Sequence, residues 1–295
     1  MSVDMRGRRV VITGATTGIG KETARELRKM GADVVIVGRD PKKIDDTVRE
    51  IGGASIGSAS PSTPVDSVRC DFASLASVRA AAAELSERFP AIHVLVNNAG
   101  AVYMERSVTV DGHETSFQVN HLGPYLLTRK LLPSIQRAAR AERHARIVNV
   151  ASTVHGSGRI DWDDLHTTRG SYVGLRVYSA TKLMNVMFTG ALARRLAPTT
   201  TANSLHPGVI ASGFGSNNKG WMGFGVRVVA PFLTTPAKGA RTSIYLASAA
   251  EVENVTGKYF DERSREVLSS LTSRDENAQE RLWQISEELC GDSFP

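Results

Sequence analysis

Short runs of β-branched residues alternate with amphipathic helical patterns along most of the chain, and this alternation constrains the fold most strongly. The run Arg9–Thr13 predicts a strand, and Ile19–Met30 predicts a helix with its apolar residues on one face. A second strand is predicted over Asp33–Val37, followed by a helix that begins at Asp40-Pro41, an N-cap residue before an N1 proline. These elements form one βαβ unit.

The same alternation continues toward the carboxyl end. The further predicted strands are Val68–Cys70, His93–Val96, Arg146–Val150, Ala202–Leu205 and Lys258–Phe260. The further predicted helices are Leu75–Arg88, Glu114 to about Ala141, Tyr178–Leu196 and Ala237–Ala247, and we expect Pro124 and Pro133 to kink the second of these. Strands of this kind, separated by helices, predict an α/β fold: a Rossmann-type, doubly wound parallel sheet with helices on both faces.

We expect one domain over residues 1–295, with three additions to the sheet. A Gly-, Ser- and Pro-rich stretch near 52–67 predicts a mobile surface insertion. The glycine-punctuated apolar stretch near 209–235 predicts a lid over the substrate, or alternatively a segment that docks on a partner or touches a membrane. The stretch near 273–289 predicts an amphipathic helix packed on the outside.

Composition and charge argue against several classes of protein. The formal charge is +6, from 36 Lys and Arg against 30 Asp and Glu, but the basic residues are scattered, so we expect no nucleic-acid partner. With two cysteines, Cys70 and Cys290, a disulfide framework is not expected. We expect no metal site and no membrane anchor, because no metal-like His/Cys cluster and no run of 18 apolar residues occurs. A cytoplasmic location is the corresponding expectation.

A glycine-rich turn follows the first predicted strand and opens the first helix. Its sequence is Thr13-Gly-Ala-Thr-Thr-Gly-Ile-Gly20, and the glycines permit a tight turn and close approach of a ligand to the backbone. The helix N-terminus offers unpaired N–H groups to a pyrophosphate. The alternative is an ordinary β-to-α turn, because the spacing differs from the commoner Gly-x-Gly-x-x-Gly fingerprint.

The residues at the end of the second strand predict which dinucleotide is bound. An acidic residue at such a strand end hydrogen-bonds the ribose 2′-OH, whereas an arginine accommodates a 2′-phosphate. Here Gly38 and Arg39 leave room and positive charge, while Asp40 is explained as a helix cap. The sequence therefore favours NADP(H) over NAD(H). The alternative is that Arg39 only covers the following helix.

A tyrosine and a lysine are spaced for joint chemistry. Tyr178 and Lys182 stand at i and i+4 of a predicted helix, and a nearby ammonium stabilises a phenolate, which suits the tyrosine to general acid/base work. Ser152 follows the strand Arg146–Val150, at the edge where open α/β sheets bind ligands. His155 raises the alternative of a Ser-His hydrolase, but no Gly-x-Ser-x-Gly elbow surrounds the serine.

Together these residues resemble the short-chain dehydrogenase/reductase family, and within it the retinol-dehydrogenase-like branch. Seven motifs carry the resemblance, in the order of the family and from about residue 8 to Phe260: TGATTGIG, Cys70-Asp-Phe72, Asn97-Asn-Ala-Gly100, Phe117-Gln-Val-Asn-His-Leu-Gly123, Arg146-Ile-Val-Asn-Val-Ala-Ser152, Tyr178-Ser-Ala-Thr-Lys182 and His206-Pro-Gly208.

The resemblance implies roles for individual residues. Tyr178 would exchange the proton with the substrate oxygen, Lys182 would hold the nicotinamide ribose and lower the tyrosine pKa, Ser152 would bind the substrate oxygen, and Asn120 would position a water that links Lys182 to solvent. Hydride transfer belongs to the cofactor. The implied cofactor-binding residues are Gly14, Thr16, Thr17, Gly18, Ile19, Gly20, Arg39, Asp71, Phe72, Asn98, Ala99, Gly100, Tyr178, Lys182, Pro207, Gly208, Ile210 and Ser212.

The activity implied is an NADP(H)-dependent interconversion of a ketone or aldehyde and an alcohol on a moderately large apolar substrate. Ser212 stands where the family often has threonine, and it keeps the hydroxyl. The resemblance also implies a homodimer or homotetramer through the long helices, in a branch that includes monomers. The alternative function is an NADP(H)-sensing binding protein that keeps the fold but performs no turnover.

Overall fold

The computed structural model describes residues 4–52, 64–139, 144–208 and 235–292. One sheet of eight strands runs through this part of the chain in the order β3-β2-β1-β4-β5-β6-β7-β8. Each neighbouring pair from β3 to β7 is parallel, and β8 is antiparallel to β7. The strands are β1 Arg9–Thr13, β2 Asp33–Gly38, β3 Asp66–Arg69, β4 Val94–Asn97, β5 Ala145–Val150, β6 Thr200–Leu205, β7 Tyr259–Phe260 and β8 Glu266–Val267.

Helices cover both faces of the sheet. They are α1 Gly18–Lys29, α2 Pro41–Gly52, α3 Leu75–Arg88, α4 Thr115–Phe117, α5 Gly123–Ala138, α6 Gly174–Arg195, α7 Pro236–Ser248 and α8 Glu276–Cys290. Successive side chains of a strand point to opposite faces, so Val11 packs with α3, α5 and α6, whereas Val10 and Ile12 pack with α1, α2 and α7. The predicted doubly wound α/β fold is confirmed. None of the described helices has the length and apolar character needed to cross a membrane.

The order of strands fixes where a ligand can bind. The chain moves outward from β1 to β3 and then returns to pair β4 with the other side of β1. In open α/β sheets, ligands bind outside the carboxyl ends of the strands at this reversal. The glycine-rich turn follows β1, Asn98 follows β4 and Ser152 follows β5, so these predicted site residues share that edge.

Several element bounds differ from the sequence predictions. β3 begins at Asp66, inside the insertion predicted near 52–67, of which residues 53–63 lie outside the described part. α6 begins at Gly174 rather than Tyr178, so the catalytic tyrosine predicted at a helix start lies one turn inside the helix. The predicted helix from Glu114 is broken by a π-helical segment, Gln118–Leu122. The strand β8 was not predicted, because two residues give no periodic signal.

The carboxyl-terminal helix packs on the helix that carries Tyr178 and Lys182. α8 begins at Glu276, three residues beyond the predicted start near 273. Asp275 caps it, since its carboxylate accepts hydrogen bonds from the backbone N–H groups of Asn277 and Ala278. Trp283 of α8 is buried, and its ring stacks 5.9 Å from that of Phe188 on α6. α8 therefore holds the outer side of α6 in place.

Trp283→Ala should lower the free energy of unfolding by about 3–5 kcal/mol, because it removes a buried aromatic ring and leaves a cavity between α8 and α6. Urea unfolding followed by circular dichroism measures the change. Trp162→Ala is the matched control, since Trp162 is only partly buried and should cost less. Equal losses for the two variants would contradict this account of α8.

Candidate active site

A clamp of hydrogen bonds holds the glycine-rich turn against the end of β4. The Asn98 side-chain amide donates to the carbonyl oxygens of Thr13 at 2.9 Å and Gly14 at 3.2 Å. In return, the hydroxyl oxygen of Thr13 accepts from the backbone N–H groups of Asn98 and Ala99, each at 3.0 Å. Asn98, predicted to border the cofactor, thus has both amide protons committed to holding the turn.

The turn fits a pyrophosphate in its backbone geometry. Gly14 and Gly18 have positive φ angles of +63° and +56°, which favour glycine. A Cβ at Gly20 would collide with the Asn98 side chain and the Gly14 carbonyl group. The N-cap Thr17 makes no side-chain capping bond, and the first turn of α1 holds no acidic residue, so its N–H groups suit an anionic ligand. Thr16 and Ile19 of the same turn are partly exposed.

The end of β2 lies directly against this turn. A Cβ added at Gly38 would lie 2.7 Å from the Thr16 methyl group, so the strand approaches the turn closely only because glycine stands there. Arg39 is exposed at the strand end, and its carbonyl oxygen accepts a hydrogen bond at 3.2 Å from Nε of Arg69 on β3. The Arg69 guanidinium therefore lies against the backbone of Arg39, at the strand end where the sequence predicts the cofactor ribose.

Asp71 and Phe72, both predicted to bind the cofactor, differ in exposure. Asp71 is partly exposed and its carboxylate accepts from the Ala73 backbone N–H at 3.0 Å. The Phe72 ring is buried, and a Cβ at Gly123 would lie 2.6 Å from it. The ring thus belongs to the core between β3 and α5, which leaves the backbone of Phe72 for any contact with a nucleotide.

Tyr178 and Lys182 lie on the same face of α6, as their spacing predicts. Lys182 is buried, and its Nζ donates to the carbonyl oxygen of Val150 at the end of β5, at 2.9 Å. Nζ also lies 5.5 Å from the centre of the Tyr178 ring. The lysine therefore joins the helix of Tyr178 to the end of β5, two residues before Ser152.

Burial shifts the pKa of both groups toward the neutral form. It raises the pKa of the Tyr178 phenol above its ordinary value of 10, and it lowers that of the Lys182 ammonium from 10.5 to about 8. The resemblance implies that Lys182 lowers the tyrosine pKa. The upward direction found for Tyr178 comes from removal of the phenolate from water, so the lowering effect of Lys182 stays a prediction.

Asn120 lies in the π-helical segment, and its side chain is fully committed. Its Oδ1 accepts from the Ala101 backbone N–H at 2.8 Å, and its amide nitrogen donates to the Ala101 carbonyl at 2.9 Å and to the Thr181 hydroxyl at 3.1 Å. With its amide nitrogen turned toward the segment, Asn185 donates to the Asn120 carbonyl at 2.8 Å. A Cβ at Gly100 would lie 3.2 Å from Asn120 Oδ1 and 3.3 Å from Lys182 Nζ. The structure thus places three predicted site residues, Gly100, Asn120 and Lys182, next to one another.

The turn after β5 presents Ser152 and packs against α6. Ser152 has an extended backbone and caps the short 3-10 helix Thr153–Ser157, with its Oγ accepting from the Val154 N–H at 3.4 Å. A Cβ at Gly158 would lie 2.5 Å from the carbonyl oxygen of Ser179. Since Ser179 follows Tyr178, this packing brings the serine turn to the tyrosine on α6.

The hydrogen bonds of His155 argue against the hydrolase alternative. Its Nδ1 lies 2.8 Å from the Ser152 carbonyl oxygen, which can only accept, and its Nε2 lies 3.2 Å from the Ser270 backbone N–H, which can only donate. Both ring nitrogens are therefore engaged with backbone groups. Neither is directed at Ser152 Oγ as a general base.

The remaining predicted cofactor residues lie at the border of the described part. Gly208 has a positive φ of +80°, and its N–H donates to Nδ1 of His206 at 3.3 Å, which shapes the turn with Pro207. Ile210, Ser212 and nearly all of the predicted lid near 209–235 lie outside the described residues.

Three contributors to the site were not predicted from the sequence. Thr13 accepts the two N–H groups that clamp the turn, and its position next to Gly14 at the end of β1 is the signal that could have identified it. Val150 contributes a carbonyl oxygen and Thr181 a hydroxyl. The sequence cannot predict a backbone acceptor such as the Val150 carbonyl. The only sequence signal for Thr181 is its position next to Lys182.

Comparisons with known proteins agree with this geometry. A family model described as short chain dehydrogenase matches residues 8–223. The chain is 40% identical to retinol dehydrogenase 12 of Mus musculus over 291 residues, covering 98% of this chain and 88% of the relative. It is 37% identical to a protein of Streptomyces sp. (strain C5) provisionally named daunorubicin C-13 ketoreductase, covering 97% of this chain and 94% of the relative.

Solved structures show the same fold. A protein from Mycobacterium paratuberculosis superposes with a TM-score of 0.77 at 30% identity, covering 99% of this chain and 97% of that one. An NADP complex of RhlG from Pseudomonas aeruginosa gives a TM-score of 0.69 at 24% identity, covering 94% and 98%, and is similar in fold.

The family match extends over most of the chain. It includes the glycine-rich turn, the π-helical segment with Asn120, the strand β5 with Ser152 after it, and both Tyr178 and Lys182. The chain is an oxidoreductase of the short-chain dehydrogenase family, similar to retinol dehydrogenases and to a ketoreductase.

Proposed function

We propose that the protein interconverts a ketone or aldehyde and an alcohol on a moderately large apolar substrate, with NADP(H) as cofactor and Tyr178 as general acid/base. The observation that carries this proposal is the buried Tyr178 and Lys182 pair on α6, which the Val150 carbonyl ties to the end of β5, two residues before Ser152. The names of two relatives, a retinol dehydrogenase and a ketoreductase, support the two directions of one interconversion.

In the direction of reduction, Tyr178 acts as the proton donor. Burial keeps its phenol protonated at neutral pH, so a proton is available for the substrate oxygen. Ser152 Oγ donates a hydrogen bond to the same oxygen. The Lys182 ammonium stabilises negative charge on the phenol oxygen as the proton leaves. The role of Asn120 toward a water stays an implication of the resemblance, since its side chain already bonds to Ala101 and Thr181. The cofactor, when bound, supplies the hydride.

The preference for NADP(H) follows from charge at the end of β2. Arg39 is exposed there, and the Arg69 guanidinium donates to its backbone carbonyl, so two arginines belong to the strand end at which we propose that a ribose 2′-phosphate binds. Gly38 packs against Thr16 and has no side chain. This position therefore offers no carboxylate to accept a hydrogen bond from a ribose 2′-OH. A guanidinium binds a phosphate through charge-assisted hydrogen bonds.

Exposed apolar side chains support an apolar substrate. Val173 and Leu175 are exposed at the start of α6, and Leu175 precedes Tyr178 by three residues, which places it on the same face of the helix. Leu268 and Leu271 are exposed in the segment that also contains Ser270, the partner of His155. A location in the cytoplasm and a homodimer or homotetramer stay predictions of the sequence.

Tyr178→Phe should lower turnover by about 100-fold or more, because it removes the proton donor and leaves the ring. NADPH oxidation is followed by absorbance with a panel of aliphatic, aromatic, retinoid-like and polycyclic aldehydes and ketones. NADPH binding, measured by the cofactor's fluorescence, should be retained. Unchanged turnover would overturn the mechanism, and tight NADPH binding with no wild-type turnover on any substrate would favour the sensing protein.

Arg39→Ala should raise the KM for NADPH by roughly tenfold or more, because a charge-assisted hydrogen bond to the 2′-phosphate is lost. The KM for NADH should change little. Arg49→Ala is the matched control, since Arg49 lies in the last turn of α2 and pairs with Asp46. Equal increases for both cofactors in Arg39→Ala would contradict the predicted preference.

The kcat/KM for carbonyl reduction should fall as the pH rises through about 8. The lowered pKa of Lys182 means that the ammonium predominates below pH 8 and is lost above it, together with its stabilisation of the phenolate. A pH profile between 6 and 10, with Tyr178→Phe as the blank, measures this dependence. A rate that rises or stays constant across pH 8 would contradict the role given to Lys182.

A further inference from the structure

His155 links the turn of Ser152 to the carboxyl-terminal part of the chain. It is buried in the short 3-10 helix after β5, where Nδ1 meets the Ser152 carbonyl oxygen at 2.8 Å. Nε2 meets the backbone N–H of Ser270 at 3.2 Å, and Ser270 lies between β8 and α8. One imidazole therefore connects two backbone segments that are more than a hundred residues apart in sequence.

The two partners determine the protonation state of the ring. A carbonyl oxygen can only accept, so Nδ1 carries the proton, and an N–H group can only donate, so Nε2 is unprotonated. The neutral Nδ1–H tautomer alone satisfies both hydrogen bonds. Burial and the nearby His206 lower the pKa of His155, while the Ser152 carbonyl raises it, and the net direction is downward, which keeps the ring neutral near pH 7.

Tyr259 of β7 completes the support of the same carbonyl. Its hydroxyl donates to the Ser152 oxygen at 3.4 Å, and its ring lies 4.6 Å from that of His155. Beyond it, the His206 ring lies 5.8 Å from that of Tyr259, and its Nε2 lies 3.3 Å from a carboxylate oxygen of Glu262. The backbone N–H of His155 also donates to this oxygen, at 3.1 Å, so the bond from the His155 ring is the shortest of three.

We propose that His155 is a positioning residue that holds Ser152 in the orientation needed to bind the substrate oxygen, an inference that rests on the proposed function. The bond that Ser152 Oγ accepts from Val154 is long, at 3.4 Å, and does little to fix the residue. The backbone carbonyl is held instead, by a shorter bond from a ring that is itself anchored on Ser270. A displacement of about 1 Å at such a group can reduce a rate by 100-fold.

Three variants test this role. His155→Phe keeps a ring and the backbone N–H bond to Ser152 but removes both hydrogen bonds of the imidazole, and we expect kcat to fall about tenfold or more while the KM for NADPH stays unchanged. His155→Asn places an amide nitrogen near the position of Nδ1 and should restore most of kcat. Ser157→Ala is the control within the same turn, because Ser157 bonds to Val154 and not to Ser152, and it should leave kcat unchanged.

The tautomer gives a readout that does not require turnover. Nitrogen-15 NMR of the histidine rings at pH 7 should show Nδ1 protonated and Nε2 unprotonated for His155, assigned by its absence from His155→Phe. An Nε2–H tautomer or a charged ring would overturn the hydrogen-bond pattern. Thermal unfolding of each variant identifies any loss of kcat that comes from misfolding, and a folded His155→Phe with normal kcat would overturn the positioning role.

The outcomes separate this inference from the proposed function. If Tyr178→Phe abolishes turnover while His155→Phe retains it, only the positioning role fails. If Tyr178→Phe retains turnover, the proposed mechanism fails and the role of Ser152 fails with it. If Tyr178→Phe and His155→Phe both lose activity and His155→Asn recovers it, both proposals are supported.

Discussion

The contact between Lys182 Nζ and the Val150 carbonyl is the interaction on which the site depends. A buried ammonium is costly without a partner, and this carbonyl oxygen, at the end of the central strand β5, provides one at 2.9 Å. The contact joins α6 to the end of β5, and Tyr178 lies one turn away on the same helix, near the strand that Ser152 follows. The small space left around Nζ also explains Gly100, where a side chain would press on both Lys182 and Asn120.

Competition between burial and charge decides the proton chemistry of the pair. Chemical intuition about a tyrosine beside a lysine emphasises attraction between phenolate and ammonium. Here both groups are almost excluded from water, and the cost of burying either charge dominates, so the tyrosine keeps its proton and the lysine loses part of its affinity for one. A protonated phenol is the form that a carbonyl reduction needs at its start.

Local patterns predicted the sheet and the main site residues, because those depend on periodicity and on short-range spacing. Val10–Ile12 and Val34–Val37 reveal buried strands, and Tyr178 with Lys182 reveals one face of a helix. The sequence could not show that Asn98 holds the glycine turn, because these residues are far apart in the chain. It also could not show that Asn120 lies in a π-helical segment, because the pattern of apolar residues does not distinguish the hydrogen bonds of an α-helix from those of a π-helix. It also could not show that burial raises the pKa of Tyr178, since that depends on every element packed around the ring.

Tyr259 and Ser270 lie beyond residue 223, where the match to the family model ends. Even so, the Tyr259 hydroxyl donates to the Ser152 carbonyl, and the Ser270 backbone N–H donates to the His155 ring in the same turn. The tail of the chain is thus part of the architecture of the active site as well as an outer layer. A substitution in this tail therefore reaches the turn of Ser152 through Tyr259 or through Ser270 and His155, while it leaves Tyr178 and Lys182 unaltered.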